Sequence, residues 1–125
     1  RGLPLRAPLK IFDSRLAAAG MLFARTAGDA VFRRYHDTVF DRFWRRELDI
    51  EDQAALSAIL AEAGADPTAF AAWVPDGLAQ VEAARLKAED EGIFGVPTFV
   101  LNNEMFWGNE HLPDIRAMLT NTPAA

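Results

Sequence analysis

The chain has 125 residues, half of them apolar and a quarter charged, which is enough ordinary globular sequence to bury a core. With no cysteine at all, disulfide frameworks, thiolate metal sites and Cys-X-X-Cys redox pairs are excluded within these residues. The net charge of −5 divides unevenly, +6 over residues 1–46 and −11 over residues 47–125, which raises the question of an acidic or nucleic-acid ligand for the first part.

Residues Arg1 to Phe12 contain two prolines and read as extended. Asp13-Ser14 reads as a helix N-cap, since a short side-chain oxygen there can take free backbone N–H groups, and the helix runs to about Ala27. Gly28-Asp29 closes that helix and opens the next. From Ala30 to Arg46 the apolar residues Val31, Phe32, Tyr35, Val39, Phe40, Phe43 and Trp44 recur at helical spacing. A third helix is expected after an Asp49 cap, with Leu56, Ile59 and Leu60 inward and a stop at Gly64. Asp66-Pro67 opens a short helix to about Trp73, with proline in its first position. Pro75-Asp76 then precedes a separate helix through Leu78, Val81 and Leu86 to Glu91, ended by Gly92.

Only then does the period change. Thr98–Leu101 is rich in strand formers, Asn102-Asn103 is a two-residue hairpin signal, and Glu104–Trp107 is the return strand. Gly108-Asn109 ends it, and Leu112, Ile115, Met118 and Leu119 mark a last helix. The order is five helices, strand, strand, helix. A lone hairpin is marginal in water, and "TFVL" is apolar on both faces, as a strand flanked by others would be. The pattern reads as mostly α, with the end of an α/β sheet whose other strands lie outside these residues.

The stretch "EGIFGVPTFVLNNEMFWGNEHLPDIRAML" resembles the C-terminal end of the 2-hydroxychromene-2-carboxylate isomerases, relatives of kappa-class glutathione transferases in the DsbA-like branch of the thioredoxin superfamily. "GLPLRAPLKIFDSRLAA", "FRRYHDTVFDRFWRRELDIEDQAAL" and "LAEAGADPTAF" extend the likeness more weakly over nearly the whole chain. It implies a thioredoxin-like fold with an inserted helical domain, here residues 1–92, and a closing strand–strand–helix over residues 93–125. The opening strand–helix–strand, about 30 residues or more, would precede Arg1, so the chain reads as part of a longer protein.

The resemblance also implies a glutathione-dependent isomerase acting on an aromatic carboxylate, with glutathione as cofactor. In that family the Val96-Pro97 bond is cis and the backbone of Val96 pairs with the cysteinyl unit of glutathione, as a strand is added to a sheet. The alternative is a trans proline opening a strand. Asn109 and its neighbouring amides would take the γ-glutamyl carboxylate, and Glu110 the ammonium beside it. Alternatively, Asn109 merely caps the helix and Glu110 merely favours its dipole. Family members usually carry Asp at the position of Glu110 and Arg at that of His111. The hydroxyl residue that stabilises the thiolate falls upstream of Arg1, so no catalytic residue is assigned. Homodimerisation through the inserted helices is a further implication.

Phe94 and Trp107 could wall a pocket for an aromatic substrate, although large aromatics at a strand end are expected in the core. Neither His36 nor His111 has a second ligand at metal spacing, so no metal site is expected. In "RRYHDTVFDRFWRR" the aromatics share one helical stripe and the arginines fall largely off it. That reads as core plus solvated surface, and no nucleic-acid partner is expected. Apolar runs all fall short of the ~20 residues that span a bilayer, and "RGLPLRAPLK" lacks a signal-peptide pattern. No membrane partner and a cytoplasmic setting are the expectations. Two rival readings remain, a DsbA-like thiol-disulfide oxidoreductase and a non-catalytic helical binding module. The second requires Phe40 and Trp44 to be exposed.

Overall fold

The computed structural model describes residues 2–121. In chain order they form α1 (Arg15–Thr26), α2 (Asp29–Trp44), α3 (Gln53–Ala63), α4 (Pro67–Asp90), β1 (Thr98–Leu101), β2 (Glu104–Trp107), a 3-10 turn (Asn109–His111) and α5 (Leu112–Asn121). Contacts divide the chain into two units, one up to Ala84 and one from Arg85, with the division falling inside α4.

In the first unit, α1 carries a face of small residues, with Ala17, Ala19, Gly20 and Ala24 all buried. That face lets Tyr35 of α2 lie directly against α1. A methyl group placed on Gly20 would sit 2.2 Å from the Tyr35 hydroxyl. The phenol is fully buried and donates to the Ala17 carbonyl at 3.0 Å, so the one polar atom brought into the core is satisfied. Around this contact pack Val31, Val39, Ile50, Leu56, Ile59, Leu60 and Phe70. Phe23 holds Phe70 and Trp73 at ring separations of 5.4 and 5.5 Å.

Burial pushes the Tyr35 phenol well above its ordinary value. The folded protein therefore keeps a proton that the unfolded chain gives up near pH 10. Above that pH the unfolded state binds fewer protons, so stability should fall as pH rises. Tyr35 is the chain's single tyrosine. Urea midpoints measured from pH 8 upward should therefore show an alkaline decline that is steeper in the wild type than in Tyr35→Phe. Parallel profiles would remove the buried phenol as the cause.

Two sequence expectations are corrected here. The cap of α3 is Asp52, whose carboxylate accepts from Ala54 at 2.9 Å and Ala55 at 3.4 Å, rather than Asp49. Asp49 instead accepts from the Glu51 amide at 2.9 Å, in the turn that delivers Asp52. Both aspartates satisfy free N–H groups, but only Asp52 stands where those groups belong to the helix. Second, Pro67 to Asp90 is one helix of 24 residues with Pro75 inside it, not two helices. The proline deprives the Ala71 carbonyl of its partner. However, Ala71 and Pro75 both face solvent, where water can take that bond. The opposite face carries buried Phe70 and Val74 before the proline and buried Gly77 and half-buried Leu78 after it, so burial on both sides sustains the helix. Asp66 caps this helix through Thr68 at 2.9 Å and Ala69 at 3.3 Å.

Residues 2–12 form neither helix nor strand, bend at Leu9 and Lys10, and are held at several points. The Arg6 amide donates to the Trp44 carbonyl and the Arg46 guanidinium to the Ala7 carbonyl, each at 2.9 Å. Glu51 accepts from the Lys10 ammonium at 2.5 Å and from the Asp13 amide at 3.0 Å. Both bonds stabilise the ionised carboxylate and hold Glu51 below its usual range. Arg34 caps the far end of α3 with two bonds to the Ala63 carbonyl, at 2.7 and 3.0 Å, a cation at the negative end of the helix.

The aromatic stripe of α2 is not uniformly inward. Tyr35 is buried and Phe43 and Trp44 are half-buried, but Phe40 is 47% exposed. The inward row is Tyr35, Val39 and Phe43. Phe32, His36 and Phe40 form a second row at the same four-residue spacing, with ring separations of 6.0 and 4.6 Å. Pro8, Leu9, Ile11, Met21, Phe43 and Trp44 are among the residues around an apolar cavity of about 820 Å³ in this unit.

The second unit holds the sheet, α5 and the 3-10 turn. β1 and β2 pair antiparallel, with Thr98 opposite Trp107, Phe99 opposite Phe106, Val100 opposite Met105 and Leu101 opposite Glu104. Asn102 and Asn103 adopt φ of 52° and 63°, the left-handed pair that a two-residue hairpin turn requires and asparagine tolerates. Strand boundaries and turn match the sequence reading residue for residue. No helix among the described residues is long and apolar enough to cross a membrane.

Candidate functional site

Val96, Pro97, Asn109 and Glu110, the sequence's candidates for ligand positioning, lie at one end of the hairpin. The antiparallel pairing that places Trp107 opposite Thr98 also brings Gly108 back beside Pro97, and the Gly108 amide donates to the Pro97 carbonyl at 3.0 Å. The Val96-Pro97 bond is cis, as the resemblance implies. Val96 is 87% exposed, and among the described residues neither of its backbone groups has a hydrogen-bond partner. The turn before it is fixed by Thr98, whose hydroxyl donates to the Gly95 carbonyl at 2.5 Å.

Gly108 has φ of 113°, a conformation that costs glycine little and other residues much. Its missing side chain also makes room for Glu110. A methyl group on Gly108 would stand 2.3 Å from Glu110 Oε2 and 2.5 Å from Oε1. The Glu110 carboxylate thus folds back over Gly108, while Asn109, the first residue of the 3-10 turn, stays exposed. The 3-10 turn intervenes between Gly108 and α5, which begins only at Leu112, so Asn109 and Glu110 belong to that turn and not to the helix itself. Pro113 falls at the second position of α5, where its missing N–H costs nothing. The His111 ring lies 5.8 Å from that of Phe106, and its Nδ1 is 3.6 Å from the Asp114 carboxylate.

Phe94 and Trp107 are not core, contrary to expectation. They are 76% and 52% exposed and stand against each other with centroids 5.1 Å apart. The reason is local. Gly95 leaves its Cα face open, and the Trp107 indole occupies it so closely that a methyl there would be 2.5 Å from Nε1. The indole is thereby held at the strand end beside Val96. Gly95 stands two residues before the proline and Trp107 at the end of β2, and nothing local in the sequence signals that the two touch.

Asp13-Ser14 stays structural. Ser14 makes no side-chain cap, and Asp13 accepts from the Arg15 guanidinium and amide, which hold its carboxyl at about 2. Around the apolar cavity of the first unit, only Lys10, Ser14 and the Trp44 indole bring a side-chain nitrogen or oxygen, and Lys10 is engaged by Glu51. The cavity offers volume without chemistry. The hairpin end offers free backbone groups, a carboxylate and an amide side chain in one place.

The profile of the DSBA-like thioredoxin domain matches residues 1–120. The chain belongs to that family. Its DsbA-like thioredoxin fold is seen here as four helices, a two-stranded sheet and a closing helix. The chain is 29% identical over 100 residues to a 2-hydroxychromene-2-carboxylate isomerase of Sphingobium xenophagum, covering 78% of this chain and 50% of the relative. It is 30% identical over 114 residues to a 2-hydroxychromene-2-carboxylate isomerase of Pseudomonas putida, covering 89% and 54%. A solved structure of 2-hydroxychromene-2-carboxylate isomerase superimposes with a TM-score of 0.76 at 26% identity, covering 95% of this chain and 58% of that one. The DsbA-like chain thus spans about half the length of the curated relatives it matches.

Proposed function

We propose that the protein is a glutathione-dependent isomerase of the 2-hydroxychromene-2-carboxylate type, acting on an aromatic carboxylate. The observation that carries this reading is the exposed, unpaired backbone of Val96, tied through Pro97 and Gly108 to the carboxylate of Glu110. The isomerases to which the chain is similar support the reaction class.

Glutathione supplies a thiolate nucleophile when bound. The residues of this chain do the positioning. The N–H and C=O of Val96 pair with the cysteinyl unit as with an added strand. Asn109 and the adjacent amides face the γ-glutamyl carboxylate. No Lys or Arg occurs from residue 88 to residue 115, so within this stretch that carboxylate is met by amides rather than by a cation. Glu110, held over Gly108, meets the ammonium in a charge-assisted bond.

Calorimetric titration tests this. Wild-type protein should bind glutathione saturably, and Glu110→Gln should weaken it by about 10-fold, the value of one hydrogen bond to a charged group. N-acetylated glutathione, which has lost the ammonium, should bind both proteins alike. No saturable heat with the wild type would refute the cofactor assignment. Equal affinities of wild type and Glu110→Gln for glutathione would refute the role of Glu110.

A further inference from the structure

We infer that Phe94 and Trp107 form a preformed ledge for the planar ring system of the substrate, and that this ledge reads the aromatic body and not its carboxylate. The inference rests on the glutathione reading for its place in the reaction. A cysteinyl unit paired along Val96 puts its sulfur beside that residue, so the group it attacks must lie on the surface flanking Val96. Phe94 precedes it by two residues, and Trp107 is packed on the glycine between them. Both rings are largely exposed, at 76% and 52%, with centroids 5.1 Å apart and planes tilted by 55°. Tilted and offset arrangements are what aromatic groups favour, so a third ring can join the pair. Trp107 is seated against Gly95 where a methyl group would not fit, which fixes the indole before any ligand arrives.

Charge decides what the ledge recognises. With no Lys or Arg from residue 88 to residue 115, and with Glu110 nearby in sequence, this stretch supplies no ammonium or guanidinium to pair with an anionic ring substituent. A neutral aromatic should therefore bind at least as well as its carboxylate.

The test uses 2-naphthol and 2-naphthoate, each titrated without glutathione. The signal is the indole N–H resonances of Trp44, Trp73 and Trp107, with the last assigned by Trp107→Phe. The expected result is that 2-naphthol shifts the Trp107 signal, binds at least as tightly as 2-naphthoate, and loses affinity on the order of five-fold in Phe94→Leu, which keeps an apolar side chain but removes the ring. Phe94 is exposed, so this variant leaves the core untouched. A shift confined to Trp44 or Trp73, no shift at all, tighter binding of 2-naphthoate, or an unaffected Phe94→Leu would overturn the ledge. A Trp107 shift in a protein that fails to bind glutathione supports the aromatic ledge and overturns the cofactor reading. Glutathione binding with no Trp107 shift overturns the ledge alone.

Discussion

Replacing Phe70 with alanine should lower the unfolding free energy by about 3–5 kcal/mol. Phe70 is fully buried on α4, and its ring stands 5.4 Å from that of Phe23, which in turn contacts Trp73. Truncation removes the transfer energy of a whole ring and opens a cavity beside Phe23, in the packed cluster that also holds Leu56, Ile59 and Leu60. Close packing leaves those neighbours little room to collapse into the gap. Domains are commonly stable by only ~5–15 kcal/mol, so the loss is a large share of what holds the protein folded. Urea unfolding followed by circular dichroism gives the number. A loss below about 1 kcal/mol would mean that Phe70 does not anchor α4 to the core as described. Phe40, of the same size but 47% exposed, marks the contrast, because nearly half of what its ring could gain from burial is already forgone.

The second large effect is expected from adding atoms. Gly20→Ala should cost about 1–3 kcal/mol, the usual penalty for overpacking a well-filled core. Alanine is the better helix former, so propensity alone predicts the opposite sign. Contact decides. The new methyl would meet the Tyr35 hydroxyl at 2.2 Å and Cζ at 2.7 Å, and the phenol is itself held to the Ala17 carbonyl. Tyr35→Phe alone should cost about 1 kcal/mol for the lost hydrogen bond. Combined with Gly20→Ala it should cost less than the sum, because it deletes the atom closest to the new methyl. Denaturation of both single variants and the double variant reads the coupling. Strict additivity would place the clash elsewhere.

Sequence reasoning reached the hairpin residue by residue because its signal is local. Two asparagines between two short apolar runs specify positive φ at both turn positions, and no distant contact has to agree. The helix start at Asp66-Pro67 is legible for the same reason. The break expected at Pro75 fails because the cost of a proline is local while its compensation comes from the buried residues on either side of it. Asp49 and Asp52 offer the same chemistry three residues apart, and only the packed helix distinguishes them. At the candidate site, the cis bond of Val96-Pro97 was legible through a family pattern, and the hairpin pairing shows why Pro97 and Gly108 share one place. The seating of Trp107 on Gly95 was not legible. A glycine near a proline is ordinary turn punctuation, and that it serves an indole twelve residues later depends on register.

The strap formed by residues 2–12 has a bearing on the order in which the first unit assembles. Its polar contacts join residues 41, 38 and 39 positions apart, through Lys10 with Glu51, Arg6 with Trp44 and Arg46 with Ala7. Closing a loop of that length carries a considerable entropic cost if paid alone. The contacts between α1 and α2 and between α2 and α3 span shorter separations and bury the apolar face that repays them. Once those helices have met, Glu51 already stands near Asp13 and no further loop has to be closed. The strap is therefore a latecomer whose few hydrogen bonds suffice, because the helices beneath it have already brought the ends of the loop together.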